Sequence, residues 1–171
     1  MTKINIVLHE PEMPANTGNI GRTCVACGAV LHLIEPLGFS LSQRNLKRAG
    51  MDYWDRLEVH RYADFNDFLE KNPEAVSCIF MATTKGRRVY SDVHYTPGCY
   101  IMFGKESAGI PEDILMKYPE SCIRIPMLDT IRSLNLSNSV SIVLYEALRQ
   151  NSFAGMQLEG ELHQHRWSQI G

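Results

Sequence analysis

The 171-residue sequence lacks several features that would place it in a broad class at once. It contains no run of eighteen apolar residues, so we expect no membrane-spanning helix. The N-terminal stretch MTKINIVLHEPE lacks the long apolar core and the cleavage site of a secretory signal peptide. The formal net charge is only −2, which argues against a protein that binds polyanions such as DNA through bulk charge. We therefore expect a cytoplasmic protein of a single domain.

Common nucleotide-binding motifs are missing as well. A dinucleotide fingerprint would read G-x-G-x-x-G after the first strand, but that loop reads EPEMPANTGNIGR. The sequence also has no G-x-x-x-x-G-K-[ST] phosphate-binding loop. Any bound nucleotide-like ligand must therefore be held by other loops.

The five cysteines are an odd number at irregular spacings, which is typical of buried thiols in a reducing compartment. Cys24 and Cys27 form a C-x-x-C pair, yet a structural zinc site needs a second pair. The pair lies towards the end of a predicted helix, so core packing is favoured over redox or zinc chemistry. His163 and His165 are interpreted as surface residues, and we expect no metal ion.

Apolar runs alternate with helical patterns along the chain, which predicts an α/β fold. Because this alternation is typical of βαβ units, we expect a mainly parallel sheet with helices on both faces. Asn16 and Asp64 are candidate helix N-caps, and Gly28 is a candidate C-terminal cap. The predicted strands cover 4–9, 29–35, 57–62, 76–84, 99–104 and 122–127. The predicted helices cover 16–27, 42–50, 64–71, 111–118 and 136–150.

Three polar loops each follow a predicted strand. They read NTGNIGR (16–22), FGKESAGIP (103–111) and RIPMLDTIRSLNLSNSV (124–140). Taken singly, each loop is compatible with a capped helix or an ordinary turn. Ligands of parallel sheets bind at the carboxyl ends of the strands, so neighbouring strands would bring the loops into one site.

Together, the three loops resemble the motifs of the SPOUT methyltransferases, in the branch that methylates the ribose 2′-oxygen of RNA. NTGNIGR resembles the first motif of that branch, MFGKESAGIP the second, and IRIPM with SLNLSNSV the third. The segments HLIEPLGF and LKRAGMDYW resemble the small single-domain subgroup called TrmL or YibK. The resemblance covers residues 4–153, which suggests a domain over 1–153 and an extension of unknown role over 154–171.

The resemblance implies a fold and an activity. The fold would carry a deep C-terminal trefoil knot that binds S-adenosyl-L-methionine, which leaves as S-adenosyl-L-homocysteine. The enzyme would be a homodimer whose RNA site is built from both subunits. Its substrate would be the ribose of the wobble nucleotide, cytidine or uridine 34, in a tRNA anticodon stem-loop. Methylation of rRNA and an inactive RNA-binding module are the alternatives.

Residue roles follow from the same resemblance. Arg22 would hold a substrate phosphate and polarise the 2′-hydroxyl, since a guanidinium is too basic to act readily as a general base. Asn16 would orient Arg22 or the ribose, and Glu106 would hold the arginine or a backbone turn. Asn135 would satisfy backbone groups in the active-site floor. The residues implied to bind the cofactor are Ala82, Thr83, Thr84, Gly104, Ile125, Met127, Ser133 and Leu134. Two basic clusters are either solvated surface or RNA contacts: Arg44, Lys47 and Arg48, and Lys85, Arg87 and Arg88.

Overall fold

A parallel β-sheet organises the protein. The computed structural model describes residues 3–41 and 53–167. Every pairing between its seven named strands is parallel, and their order across the sheet is β3-β2-β1-β6-β4-β7-β5. The strands are β1 (Asn5–His9), β2 (Val30–Ile34), β3 (Val59–Tyr62), β4 (Ile79–Ala82), β5 (Arg88–Val89), β6 (Tyr100–Phe103) and β7 (Cys122–Arg124). The prediction of a mainly parallel sheet is confirmed.

Helices cover both faces of this sheet, as predicted. Alternate strand residues point to opposite faces, so Ile6 and Leu8 belong to one apolar cluster and Val7 to the other. The helices are α1 (Pro14–Cys27), α2 (Phe65–Lys71), α3 (Ala75–Cys78), α4 (Glu112–Lys117) and α5 (Leu136–Gln150). Helices α1 and α5 contribute to the first cluster, and α2 and α4 contribute to the second. Within the described ranges, no helix has the length and apolar character needed to cross a membrane.

Several helix ends obey local rules. Gly28 ends α1 in the left-handed conformation, with φ of 72°, and its N–H donates to the carbonyl oxygen of Cys24. Asp64 caps α2 by accepting a hydrogen bond from the backbone N–H of Asp67 at 2.8 Å. Helix α5 has the predicted bounds and buries its apolar stripe. These three predictions are confirmed.

Other predictions were wrong. Asn16 is not a helix cap: α1 begins two residues earlier at Pro14, after Met13, whose side chain makes no capping bond. Residues 76–78, predicted as strand, belong to the helical turn α3. The hydroxyl of Ser77 donates to the backbone carbonyl of Glu74 at 2.9 Å and stabilises that turn. The predicted basic helix 42–50 lies outside the described residues.

Candidate active site

The three motif loops meet around one cavity of about 610 Å³. The cavity lies at the carboxyl ends of β1, β6, β4 and β7, which are consecutive in the sheet. The first residues of α1 form one side, and the chain between β7 and α5 forms another. The convergence predicted from the parallel topology is therefore confirmed.

A chain of side-chain hydrogen bonds connects the three loops. The side-chain amide of Asn16 donates to Oε1 of Glu106 at 2.9 Å. The amide oxygen of Asn16 accepts from the side-chain amide of Asn135 at 3.0 Å. Asn135 in turn accepts hydrogen bonds from the backbone N–H groups of Ser137 and Asn138, and so caps α5. One buried asparagine thus ties the start of α1 to the other two loops.

Glu106 holds the backbone that leads into α1. Its carboxylate accepts from the backbone N–H of Glu12 at 2.8 Å and from that of Met13 at 3.2 Å. A carboxylate at a helix N-terminus satisfies N–H groups that have no partner in the helix and interacts favourably with the helix dipole. The interpretation of Glu106 as the group that holds a backbone turn matches this geometry.

The loop that carries Glu106 also donates hydrogen bonds to the segment before α1. Glu12 accepts from the backbone N–H of Ser107 at 2.9 Å and from its hydroxyl at 2.8 Å. These hydrogen bonds stabilise the ionised carboxylate and lower the pKa of Glu12. The two loops therefore exchange hydrogen bonds in both directions and form one rigid side of the cavity.

Gly104 allows two backbone segments to approach each other closely. A β-carbon added there would lie 2.0 Å from the carbonyl carbon of Gly109 and 2.1 Å from the backbone nitrogen of Ile110. Gly109 has φ of +74° and donates from its N–H to the carbonyl of Lys105 at 2.8 Å. The two glycines permit a tight turn packed closely on another stretch of backbone.

All eight residues that the resemblance implies for cofactor binding line the cavity. So do three of the four implied catalytic residues, Asn16, Glu106 and Asn135. Among the lining residues that we did not single out are Met13, Lys105 and Arg132. Lys105 lies inside the second motif and Arg132 directly precedes SLNLSNSV, so proximity to the motifs was the available signal.

Arg22 is not among the residues that line the cavity. It is exposed on α1, with its guanidinium carbon 5.1 Å from the centroid of the Tyr53 ring. The hydroxyl of Tyr53 donates to the carbonyl oxygen of Gly18. Asn16 and Arg22 are six residues apart on the helix, which corresponds to a rise of about 9 Å. Within one chain, the structure does not bring Arg22 together with the other three.

The basic residues divide into three sets. Lys85 lines the cavity and pairs with Glu112 at 2.9 Å. Arg87 is exposed, and Arg88 donates to the carbonyl oxygen of Glu120 at 2.7 Å. The third set, Arg44, Lys47 and Arg48, lies outside the described residues.

The cysteines and histidines carry no sign of a metal centre in the part of the chain that the structure describes. No group of three His, Cys, Asp or Glu side chains is arranged there to hold a metal ion. Cys24 is fully buried, and burial raises the pKa of its thiol and that of Cys27. Core packing of this pair agrees with these surroundings.

Comparisons with known proteins agree with the motifs. The chain is 50% identical over 157 residues to the tRNA (cytidine(34)-2′-O)-methyltransferase of Escherichia coli, covering 91% of this chain and 98% of that protein. It is 46% identical over 160 residues to the enzyme of the same name from Photorhabdus asymbiotica, covering 91% and 99%. A solved structure described as giving structural insights into the 2-OH methylation of C/U34 on tRNA superposes with a TM-score of 0.81. It is 41% identical, and the match covers 88% of this chain and 97% of that one. The model of the SpoU rRNA Methylase family matches residues 3–145, and the chain belongs to that family.

Proposed function

We propose that the protein transfers the methyl group of S-adenosyl-L-methionine to the 2′-oxygen of nucleotide 34, cytidine or uridine, in tRNA. The observation that carries this proposal is the 50% identity to a tRNA (cytidine(34)-2′-O)-methyltransferase along 98% of its length. The convergence of all three motif loops on one cavity supports it independently of the identity. The protein would act in the cytoplasm on a tRNA anticodon stem-loop rather than on DNA.

The cavity fits the proposed cofactor. Its volume of about 610 Å³ lies in the range typical of small-molecule sites. Phe103, Ile110, Ile125 and Leu134 give it an apolar lining suited to an adenine ring. Backbone segments at the strand ends provide N–H and C=O groups without adding a charge. When bound, the sulfonium of the cofactor supplies a methyl group that is already activated for transfer.

The C-terminal part of the domain would form the knot. We assign the knot to the segment that runs from β7 into α5, within a domain that spans 1–153 and precedes the extension 154–171. Its support is that α5 is held at both ends by distant parts of the chain. Asn135 binds Asn16 at the start, while at the other end Gln150 and Asn151 hydrogen-bond the backbone of Tyr95 at 2.9 and 2.8 Å.

A homodimer would complete the site. Helices α1 and α5 pack side by side, and α5 leaves Ile142 and Tyr145 exposed by 36% and 43%. Arg22 is exposed on α1, away from the cavity of its own chain. In the proposed dimer it would therefore serve the neighbouring subunit, where it would hold a phosphate and polarise the 2′-hydroxyl. Within each chain Glu106, Asn16 and Asn135 would keep the loops in position.

The activity is tested by mass spectrometry of nucleosides from unmodified tRNA after incubation with the protein and cofactor. We expect 2′-O-methylcytidine or 2′-O-methyluridine, mapped to nucleotide 34 by nuclease digestion. Ribosomal RNA fragments serve as the competing substrate. Methylation of those fragments alone would support the rRNA alternative. Absence of methyl transfer, together with no heat of cofactor binding in calorimetry, would support an inactive RNA-binding module.

The role of Arg22 is tested with the variant Arg22→Ala. We expect methyl transfer to fall by about a hundredfold or more, because the variant loses a positioned charge at the reacting hydroxyl. Cofactor affinity measured by calorimetry should stay unchanged, since Arg22 does not line the cavity. Turnover equal to that of the wild type would remove Arg22 from the mechanism.

A further inference from the structure

The charges around the cavity do not balance at one position. Three cationic side chains line it: Lys85, Lys105 and Arg132. Lys85 pairs with Glu112 at 2.9 Å, and Lys105 pairs with Glu10 at the same distance. Among residues 3–41 and 53–167, Arg132 has no carboxylate partner in the structure.

Glu106, the acidic side chain of the lining, forms no ion pair with Arg132. Glu106 already accepts three hydrogen bonds, from the backbone N–H groups of Glu12 and Met13 and from Asn16. Both of its oxygens are therefore in use as acceptors at the start of α1. Arg132 is the cation of the lining that has no carboxylate within salt-bridge distance in the described part of the chain, so its guanidinium is available to bind an oxyanion.

Two oxyanions are candidate ligands of Arg132: a phosphate of the RNA backbone and the carboxylate of the cofactor. The side chain of Arg132 is exposed, while Leu134, two residues further along the same loop, is partly buried. A solvent-facing side chain at the edge of the cavity suits a ligand that remains largely outside the cavity when it is bound. This favours the RNA phosphate.

We propose that Arg132 binds a backbone phosphate of the RNA next to the nucleotide that is methylated, an inference that rests on the proposed function. The guanidinium presents two parallel N–H donors that match two oxygens of a phosphate, a geometry that lysine does not offer. Contacts to phosphates position the nucleic acid but do not read its sequence. Arg132 therefore sets the register of the RNA strand at the cavity.

The test compares Arg132→Gln and Arg132→Lys with the matched control Arg61→Gln. Arg61 is also exposed, but it lies on the edge strand β3 and pairs with Glu35. Affinity for a fluorescent anticodon stem-loop RNA is measured by anisotropy over a range of salt concentrations, and cofactor affinity by calorimetry. Arg132→Gln should weaken RNA binding roughly tenfold. The slope of log affinity against log salt should become shallower by about 0.7, which corresponds to one lost phosphate contact.

Arg132→Lys should lose less RNA affinity than Arg132→Gln, and Arg61→Gln should bind RNA like the wild type. Equal RNA affinity of Arg132→Gln and wild type would overturn the proposal. A fall in cofactor affinity with RNA affinity preserved would overturn it as well and assign Arg132 to the cofactor carboxylate. A wild-type protein that methylates tRNA while Arg132→Gln binds it normally refutes only this inference. A wild-type protein that methylates no tRNA refutes the proposed function itself.

Discussion

Glu106 offers the sharpest test of how the site is held together. Its carboxylate accepts hydrogen bonds from Glu12 and Met13 at the start of α1 and from the side chain of Asn16. The substitution Glu106→Gln keeps the shape but replaces one acceptor oxygen with an NH₂ group. Whichever way the amide turns, that NH₂ group faces at least one N–H donor.

The expected cost follows from these contacts. A hydrogen bond to a charged acceptor contributes about 1.5–3 kcal/mol, and a negative charge at a helix N-terminus contributes about 0.3–1 kcal/mol. Losing one bond and the charge should therefore lower the free energy of unfolding of Glu106→Gln by about 2–4 kcal/mol. Asn16 cannot compensate by turning its amide, since its oxygen is already bonded to Asn135.

The assay is urea unfolding of wild type, Glu106→Gln and the control Glu58→Gln. Glu58 is exposed and pairs at the surface with Lys3 and His60, so its variant should stay within about 0.5 kcal/mol of wild type. Glu106→Gln should also bind the cofactor more weakly, because its loop lines the cavity. Equal stability of the two variants would refute the view that Glu106 anchors α1.

Two further predictions concern the cavity and the sheet. Gly104→Ala should lose about 3 kcal/mol of stability, the upper end for overpacking, and most cofactor affinity, because the new β-carbon meets the backbone of Gly109. The control Gly160→Ala should keep the stability of the wild type, because an added β-carbon there meets open space. Similar melting temperatures of the two variants would contradict this reasoning. Burial lowers the pKa of His32 from about 6.5 to about 4. Between these two pH values the unfolded chain binds a proton at this histidine and the folded protein does not. The free energy of unfolding should therefore fall by up to roughly 3 kcal/mol as the pH drops from about 6.5 to about 4. The stability of His32→Gln, measured by urea unfolding, should depend less on pH over that interval. A pH dependence equal to that of the wild type would contradict this role of His32.

The sequence predicted those parts of the structure that depend on neighbouring residues. Gly28 and Asp64 terminate helices as expected, because the left-handed conformation and the side-chain cap are local effects. The convergence of the loops was expected on the condition that their strands are neighbours, since parallel strands end at the same edge of a sheet, and the strand order meets that condition. The strand β5 was missed because its two residues are too short to show a period.

The errors have separate causes, one of them long-range and the others local. Asn16 has a good local propensity for capping, but it lies inside α1 and its side chain donates instead to Glu106, ninety positions away. Side chains six positions apart on a helix differ in direction by about 240°, so Arg22 does not point back along the face of Asn16. The helical turn at 76–78 replaced a predicted strand because side-chain hydrogen bonds to Glu74 stabilise it.

The chain of hydrogen bonds through Asn16 has a consequence for how the protein folds during its synthesis on the ribosome. Its two side-chain links join residues separated by 90 and 119 positions. Contacts of such long separation carry a high closure entropy and form late in folding. All seven named strands precede α5, so a nascent chain that stops before this helix could assemble its sheet and yet lack the helix that contributes Leu136 and Ser139 to the cavity. The cavity would then reach its complete lining only when α5 packs against the sheet, after all seven strands have been synthesised.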